Sequence, residues 1–372
     1  MKVLYVIDTL ETGGAEQSLL EITSRLTKTD PVVCHLYQGS ALKSRFEAAG
    51  IKVISLNLTG PYQFIQAFKK LKAVCVSEKP DLIVSALYRS EISSRLVARA
   101  LTIAQIGSLV SDSYSENKKS TFRAVGRIKF KFFYWINRLT ASLTVAYISN
   151  SESIKRSNSK ALHIHLDRIH TIYRGRPVKT VVRTNLTRTQ LKFLNVGRLI
   201  QGKGQRELIQ AFSDFRKIHP QATLTIAGEG PFRKELEQEI AFHNLQNHVS
   251  LPGNVEDVSA LYAQHDCLIF PSHYEGFSGV IVEAMLAKLP ILASDIPMNQ
   301  EAVQHNQTGY IFAVKNKTSI LEAMKWFTAN RSRAADMADA AYANACNRFD
   351  IKSIVRQHEE LYEAVVSKFK TR

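Results

Sequence analysis

Glu275 and Glu283 stand eight residues apart in PSHYEGFSGVIVEAMLAKLPILASD, Pro271 to Asp295. A carboxylate offers two acceptor oxygens and can take both hydroxyls of a ribose diol, or two neighbouring hydroxyls of a hexose. The apolar CLIFP before them reads as a short buried strand, and Gly276 and Gly279 punctuate a turn. Val280, Val282, Met285 and Leu286 then recur at helical spacing, which puts Glu275 on a loop and Glu283 inside a helix. Backbone N–H groups at that helix start, around Phe277, Ser278 and Gly279, favour a bound phosphate or sugar oxygen. The arrangement suits a nucleotide sugar. A plainer alternative makes Glu275 a helix cap and Glu283 a solvated charge.

The elements that must position these groups follow from strand and helix alternation. VLYVI, VVCHLY, IKVISL, DLIVSA, QIGSLV and LTVAYI read as short strands separated by helical stretches, which implies parallel βαβ units in a doubly wound sheet. Around Arg174 to Thr189 the pattern dissolves into Pro, Thr and basic residues. A second α/β run holds LKFLNVG, ATLTIAG, HVSLPG, DCLIFP and PILAS, and the stretch from Thr318 to the end is helical in character. At 372 residues two domains are expected. They span residues 1–175 and 191–349, with 176–190 as linker.

Each domain has its own glycine turn. Gly13 and Gly14 separate the first strand from the first helix, where backbone can approach a ligand at the positive end of a helix. They are expected to face a cleft between the domains. A dinucleotide site is poorly supported, because G-x-G-x-x-G is absent and VVCHLYQ ends without an acidic residue. Arg198 and Lys203 follow the first strand of the second domain, with Gly197, Gly202 and Gly204 freeing the loop between them. Gly228, Glu229 and Gly230 make a further turn that is as well structural as ligand-facing.

With these pieces in order, the chain resembles the retaining glycosyltransferases of family four, which have the GT-B fold and a Glu-x7-Glu signature. The resemblance rests on Glu275 and Glu283 in GFSGVIVEAMLAKLPILASD, GGAE at Gly13 to Glu16, VGRLIQGKG at Val196 to Gly204, AGEGP at Ala227 to Pro231, LPGNVED at Leu251 to Asp257 and TGYIF at Thr308 to Phe312. It implies two Rossmann-like doubly wound domains facing a cleft, with the last helix, residues 350–370, packing back on the first domain.

The resemblance also implies roles. Arg198 and Lys203 bind the donor diphosphate and stabilise the charge that grows on the β-phosphate as the sugar leaves, so no metal or other cofactor is expected. Gly13, Gly14, Glu275, Gly276, Phe277, Ser278, Gly279 and Glu283 complete the donor site, Glu283 holding the ribose and Glu275 the transferred sugar. Many relatives carry a histidine in the first domain facing the sugar. Here SALYRSE and SLVSDSY, from Ser85 and Ser108, have none. Asp112 is the nearest candidate to orient donor sugar or acceptor, and Arg89 could meet an anionic group. In a same-face retaining mechanism the departing diphosphate itself can take the acceptor proton, which ranks Arg198 and Lys203 above a protein base. The expected donor is a UDP-sugar and the acceptor a lipid-linked or polysaccharide glycan. A sugar-nucleotide epimerase is the alternative.

The formal net charge is +16. Residues 1–175 hold 25 Lys and Arg against 13 Asp and Glu, a net of +12, which leaves +4 for the remainder. The excess peaks in KKSTFRAVGRIKFKFFYWINR, Lys118 to Arg138, with seven basic residues, no acid, and Phe122, Phe130, Phe132, Phe133, Tyr134 and Trp135 between them. That composition suits an anionic membrane surface. Nucleic acid would explain the charge but not the paired glutamates at a glycine junction, so it is not expected as a partner. Asp8 and Glu11 interrupt the opening apolar run, which argues against a signal peptide, and no stretch reaches the ~18 to 20 apolar residues of a span. A cytoplasmic protein, peripheral on the inner membrane face, is expected. Cys34, Cys75, Cys267 and Cys346 are scattered, as free thiols in or near the core would be.

Overall fold

The computed structural model describes residues 1–60, 63–112, 114, 124–178, 190–255 and 257–371, and the side chains of all of these except 124–129. Residues 118–123 of the basic segment and 179–189 of the expected linker therefore lie outside the described residues. The chain divides into two compact units, Met1–Gly175 with Ile351–Arg372, and Arg176–Asp350.

The first unit is built on seven parallel strands: β1 (Lys2–Ile7), β2 (Asp30–Tyr37), β3 (Lys52–Leu58), β4 (Leu82–Ala86), β5 (Ala104–Leu109), β6 (Ala146–Ser149) and β7 (Ile169–Thr171). Their order is β3-β2-β1-β4-β5-β6-β7. Strands of this kind are apolar on both faces because helices cover both. Side chains alternate across a strand, and β1 shows the consequence. Val3, Tyr5 and Ile7 join one core with Ile354, Tyr362, Val365 and Val366 of the last helix, Ile351–Lys370. Leu4 and Val6 join the opposite core with Ala67, Leu71 and Cys75 of Phe64–Glu78. Glu359 fixes the last helix further, accepting from Thr27 N at 2.8 Å and Lys28 N at 2.6 Å.

The second unit has six parallel strands: β8 (Lys192–Val196), β9 (Thr223–Ala227), β10 (Val249–Gly253), β11 (Cys267–Phe270), β12 (Ile291–Ser294) and β13 (Tyr310–Phe312), in the order β10-β9-β8-β11-β12-β13. Its core runs from Phe193, Leu224 and Ile269 on the strands to Leu208, Phe212 and Phe215 of Gln205–Arg216, and Met324 and Phe327 of Lys317–Ala329. The three-residue strands β7 and β13 are additions to the sequence reading, being too short to carry a period.

Both sheets wind outward and then jump back beside their first strand, so each has a topological switch point, between β1 and β4 and between β8 and β11. In open α/β sheets ligands bind outside the carboxyl ends of the strands at this point. Cys34, Cys75 and Cys267 are buried, Cys346 is half-buried, and all four are free thiols. Among the described residues no helix is long and apolar enough to cross a membrane.

Candidate functional site

In the second unit two loops leave the switch point, one after β8 and one after β11. The β8 loop holds Gly197 and an exposed Arg198, then a single 3-10 turn, Gln201–Lys203. Gly204 follows at φ +67°, and a Cβ there would also collide with the Pro271 carbonyl oxygen. Only glycine meets both demands. The helix Gln205–Arg216 then begins at once, so Lys203 sits just ahead of its positive end. Buried amides brace the loop: Asn195 Nδ2 donates to Ile269 O at 2.8 Å, and Gln205 Nε2 reaches Asn195 Oδ1 and Arg198 O, each at 3.4 Å. The Gly228–Gly230 turn is structural, with Leu199 N donating to Glu229 O at 3.0 Å and Gly197 N to Ala227 O at 2.9 Å.

The β11 loop meets the β8 loop through His273 N, which donates to Gly202 O at 2.9 Å. Glu275 then forms an ion pair with Lys203. Both are half-buried, which is a setting where a Coulomb pair is less screened than on an open surface. His273 stands 3.2 Å from Glu207. Burial alone would raise the Glu207 carboxyl, but His273 and the helix backbone outweigh it and hold the pKa below the usual value.

Glu275 does not cap the following helix. Gly279–Leu286 starts after Ser278, which makes no side-chain capping bond. The Phe277 side chain is buried, its ring 5.2 Å from that of Phe349, so it holds the loop down. Glu283 lies inside this helix. Its Oε1 accepts from Arg176 Nε at 2.5 Å and its Oε2 from the Tyr262 hydroxyl at 2.9 Å. Burial, and then the Glu283 charge, push the Tyr262 phenol well above its ordinary pKa, so it stays a donor. The Arg176 guanidinium also explains Gly279, where a Cβ would collide with it. Arg176 and Tyr262 were missed by sequence reasoning. Arg176 lay in the stretch read as linker, 107 residues from its partner, and Tyr262 on a short helix, Val258–Gln264.

The remaining candidates belong to the first unit. Gly13 precedes the helix Gly14–Thr23 with φ −80°, so left-handed backbone is not its reason. Close approach is: a Cβ on Gly14 would lie 3.3 Å from Arg174 Nη1, and one on Gly13 would run into the Glu16 carboxylate. Asp112 follows β5 and accepts from Ser157 Oγ at 2.5 Å. Arg89 stands 3.5 Å from Asp8 and 5.6 Å from the centre of the Tyr37 ring. Asp8, at the end of β1, also accepts from Ser90 N at 3.0 Å and Ser90 Oγ at 2.6 Å. Burial raises its pKa, against those bonds and Arg89. The loop between β4 and the helix Tyr88–Leu101 turns through Leu87 at φ +72°, a strained conformation for leucine.

Just beyond, Arg95 is wholly buried. Its guanidinium meets Glu91 Oε2 at 2.7 Å, Thr144 Oγ1 at 3.0 Å, and Asn137. Burial pushes the Glu91 carboxyl up to about 7, with Arg95 and the Ser108 N–H opposing. Asn137 belongs to the helix Ala124–Thr140, whose aromatics divide by face. Phe133 packs on Phe64 and Tyr88, and Phe130 and Tyr134 on Tyr114. Phe132, Trp135 and Leu139, at helical spacing, are 62%, 53% and 72% exposed. Among the described residues no three His, Cys, Asp or Glu side chains are grouped to hold a metal ion.

Two family models meet in the middle of the chain, one described as Glycosyltransferase Family 4 over residues 12–179 and one as Glycosyl transferases group 1 over residues 180–344. An uncharacterized glycosyltransferase of Methanocaldococcus jannaschii is 24% identical over 253 residues, 64% of this chain. The match spans only 61% of that relative's length. The capsular polysaccharide biosynthesis glycosyltransferase CapH of Staphylococcus aureus is 22% identical over 371 residues, covering 97% of this chain and 98% of its own. Among solved structures, Anabaena HepE in complex with UDP-glucose superposes with a TM-score of 0.84 at 22% identity, over 98% of this chain and 100% of that one.

Proposed function

We propose that this chain is a glycosyltransferase of the GT-B fold that moves a sugar from a UDP-sugar to a lipid-linked or polysaccharide acceptor with retention of anomeric configuration. One observation carries the reading: at the switch point of the second unit, Lys203 on one loop pairs with Glu275 on the next, Arg198 stands exposed on the Lys203 loop, and Glu283 is held by Arg176 and Tyr262. The HepE complex with UDP-glucose supports a UDP donor, and CapH supports a glycan acceptor.

The roles follow from the pairings. Lys203 is kept in place by Glu275, and its ammonium, with three donors, can serve that carboxylate and a β-phosphate oxygen together. Arg198, exposed on the same loop, takes a second phosphate oxygen. Glu283 uses one oxygen on Arg176 and one on Tyr262, which orients the carboxylate and leaves lone pairs for the two ribose hydroxyls. Glu275 meets the transferred sugar. As the bond from the anomeric carbon to the β-phosphate oxygen breaks, charge grows on that phosphate, and Arg198 and Lys203 stabilise it where it appears. The acceptor oxygen bonds to the same face of the anomeric carbon and its proton passes to the departing phosphate. This course uses no protein base and no metal.

Phe132, Trp135 and Leu139 favour a peripheral membrane site for the reaction. With exposed Lys131, and Arg138 5.1 Å from the centre of the Trp135 ring, they form an apolar stripe with basic flanks. Binding to vesicles should rise with anionic lipid and fall with salt, and equal binding to neutral vesicles would remove this part.

The donor assignment is tested by thermal unfolding with UDP-, GDP- and ADP-glucose. A ligand at 100 times its Kd adds roughly 2.7 kcal/mol, so UDP-glucose should raise Tm by several degrees above the other two. An equal or larger shift with GDP- or ADP-glucose would overturn the choice of base.

A further inference from the structure

The face of the first sheet that carries Gly14–Thr23 and Ile351–Lys370 is not filled completely. A pocket of about 90 Å3 lies there, with walls of Ile22, Val84, Ala86 and Ile148. At one edge is Asn150, just past the carboxyl end of β6 and only 8% exposed. Its Nδ2 donates to Val110 O at 3.1 Å, yet among the described residues its buried Oδ1 accepts no hydrogen bond. An amide oxygen left so is costly, and a ligand O–H or N–H would remove the cost. The lining also includes His358 and Tyr362, which satisfy one another at 3.1 Å. Burial keeps His358 neutral, lowering its pKa to about 4, while Arg174 brings a cation to the lining.

The geometry points to a binding site for an amphiphile, a short hydrocarbon segment lying against Ile22, Val84, Ala86 and Ile148 and a hydroxyl of its head donating to Asn150 Oδ1. The volume is below the ~150 Å3 of an aliphatic cavity that holds benzene, so only the first few carbons beside the head enter. Where the pocket serves the reaction, the amphiphile is the acceptor and carries an apolar aglycone. That last step rests on the transferase reading, whereas binding itself does not.

The probe is a series of n-alkyl β-glucosides, methyl to octyl, titrated below their micelle concentrations and followed by calorimetry. Affinity should rise about fourfold for each methylene buried and level off once the pocket is full. Ile22→Phe, which fills it, should abolish the chain-length gain while UDP-glucose binding stays as in the parent. Ala86→Leu gives the same test by a smaller change if the first variant folds poorly. Affinity independent of chain length in the parent would overturn the inference. So would a gain that survives in both variants while their Tm rises, which marks the pocket as a packing flaw. If the gain is present and UDP-glucose fails to bind, the donor reading falls and the pocket stands.

Discussion

The two units share one strand topology but arm it differently. At the switch point of the second unit the charges lie on loops and are partly open to solvent: Arg198 is exposed, and Lys203, Glu275 and Glu283 keep 20%, 12% and 30% of their side-chain surface. In the first unit the Arg95–Glu91 pair turns inward, while Arg89 and Asp8 keep 36% and 13% of their side-chain surface. Arg95 and Glu91 are 0% and 5% exposed as a pair, and Asp8 spends its oxygens on Ser90 and Arg89. A charge that must meet a ligand has to keep free lone pairs or donors and some access to water, whereas a charge that fixes structure is best satisfied internally. By that standard the second unit suits the proposed grip on an anionic, hydroxylated ligand. The first spends Arg95 and Glu91 on its own shape and leaves a largely apolar pocket.

The largest effect should come from breaking a buried pair in the first unit. Arg95→Leu strands Glu91 and Asn137, and removing one partner of a buried ion pair costs about 3–5 kcal/mol. Chemical denaturation should show that loss, with much of it recovered in the double variant Arg95→Leu, Glu91→Leu. A single variant as stable as the parent would put the first unit's charges on the same footing as the second's.

The next effect is one of pH and again belongs to the first unit. His358 has a folded pKa of about 4, below its ordinary value near 6.5, because burial disfavours the cation. The unfolded chain therefore binds the proton more readily, and stability rises with pH in this window. The contribution is complete above about 6.5 and is lost as pH falls toward 4, on the order of 3 kcal/mol over that range. Stability curves from pH 4 to 7 for the parent and His358→Gln should diverge in slope, the variant lacking this component. Because Glu91, raised to about 7 by burial, acts with the opposite sign, the difference between the two curves is the informative quantity. Parallel curves would contradict the assignment.

In the second unit the expected effects are on function and are smaller in energy. Arg198→Ala removes a charge-assisted contact worth roughly 1.5–3 kcal/mol and should lower kcat/KM by about one to two decades with little change in Tm. Unchanged turnover, or a loss of stability like that of Arg95→Leu, would erase the contrast between the units.

How much of this was legible in the sequence depends on the range of the interactions. All the strands but β7 and β13 were readable from runs such as VLYVI and DCLIFP, because burial on both faces leaves a continuous apolar signature. Glu275, Glu283, Arg198 and Lys203 stood out because glycines and strand ends flank them locally. What pairs with them was not readable in the same way. Arg176 looks like any basic residue of a Pro- and Thr-containing stretch, and only the fold brings it to Glu283. The segment from Lys118 to Arg138 read as one basic, aromatic surface, yet its helical period turns Phe130, Phe133 and Tyr134 inward and Phe132 and Trp135 outward. The Oδ1 of Asn150, unbonded among the described residues, has no sequence signal, since it is defined by what surrounding side chains fail to provide.

The central claim is that the second unit grips the donor diphosphate through Lys203, held by Glu275. It is tested most directly by titrating UDP into the parent and Lys203→Ala by calorimetry at fixed ionic strength. The account predicts a Kd weaker by about tenfold or more in the variant, the loss of one charge-assisted contact, with the fold intact by Tm. A variant that binds UDP as tightly as the parent would contradict it.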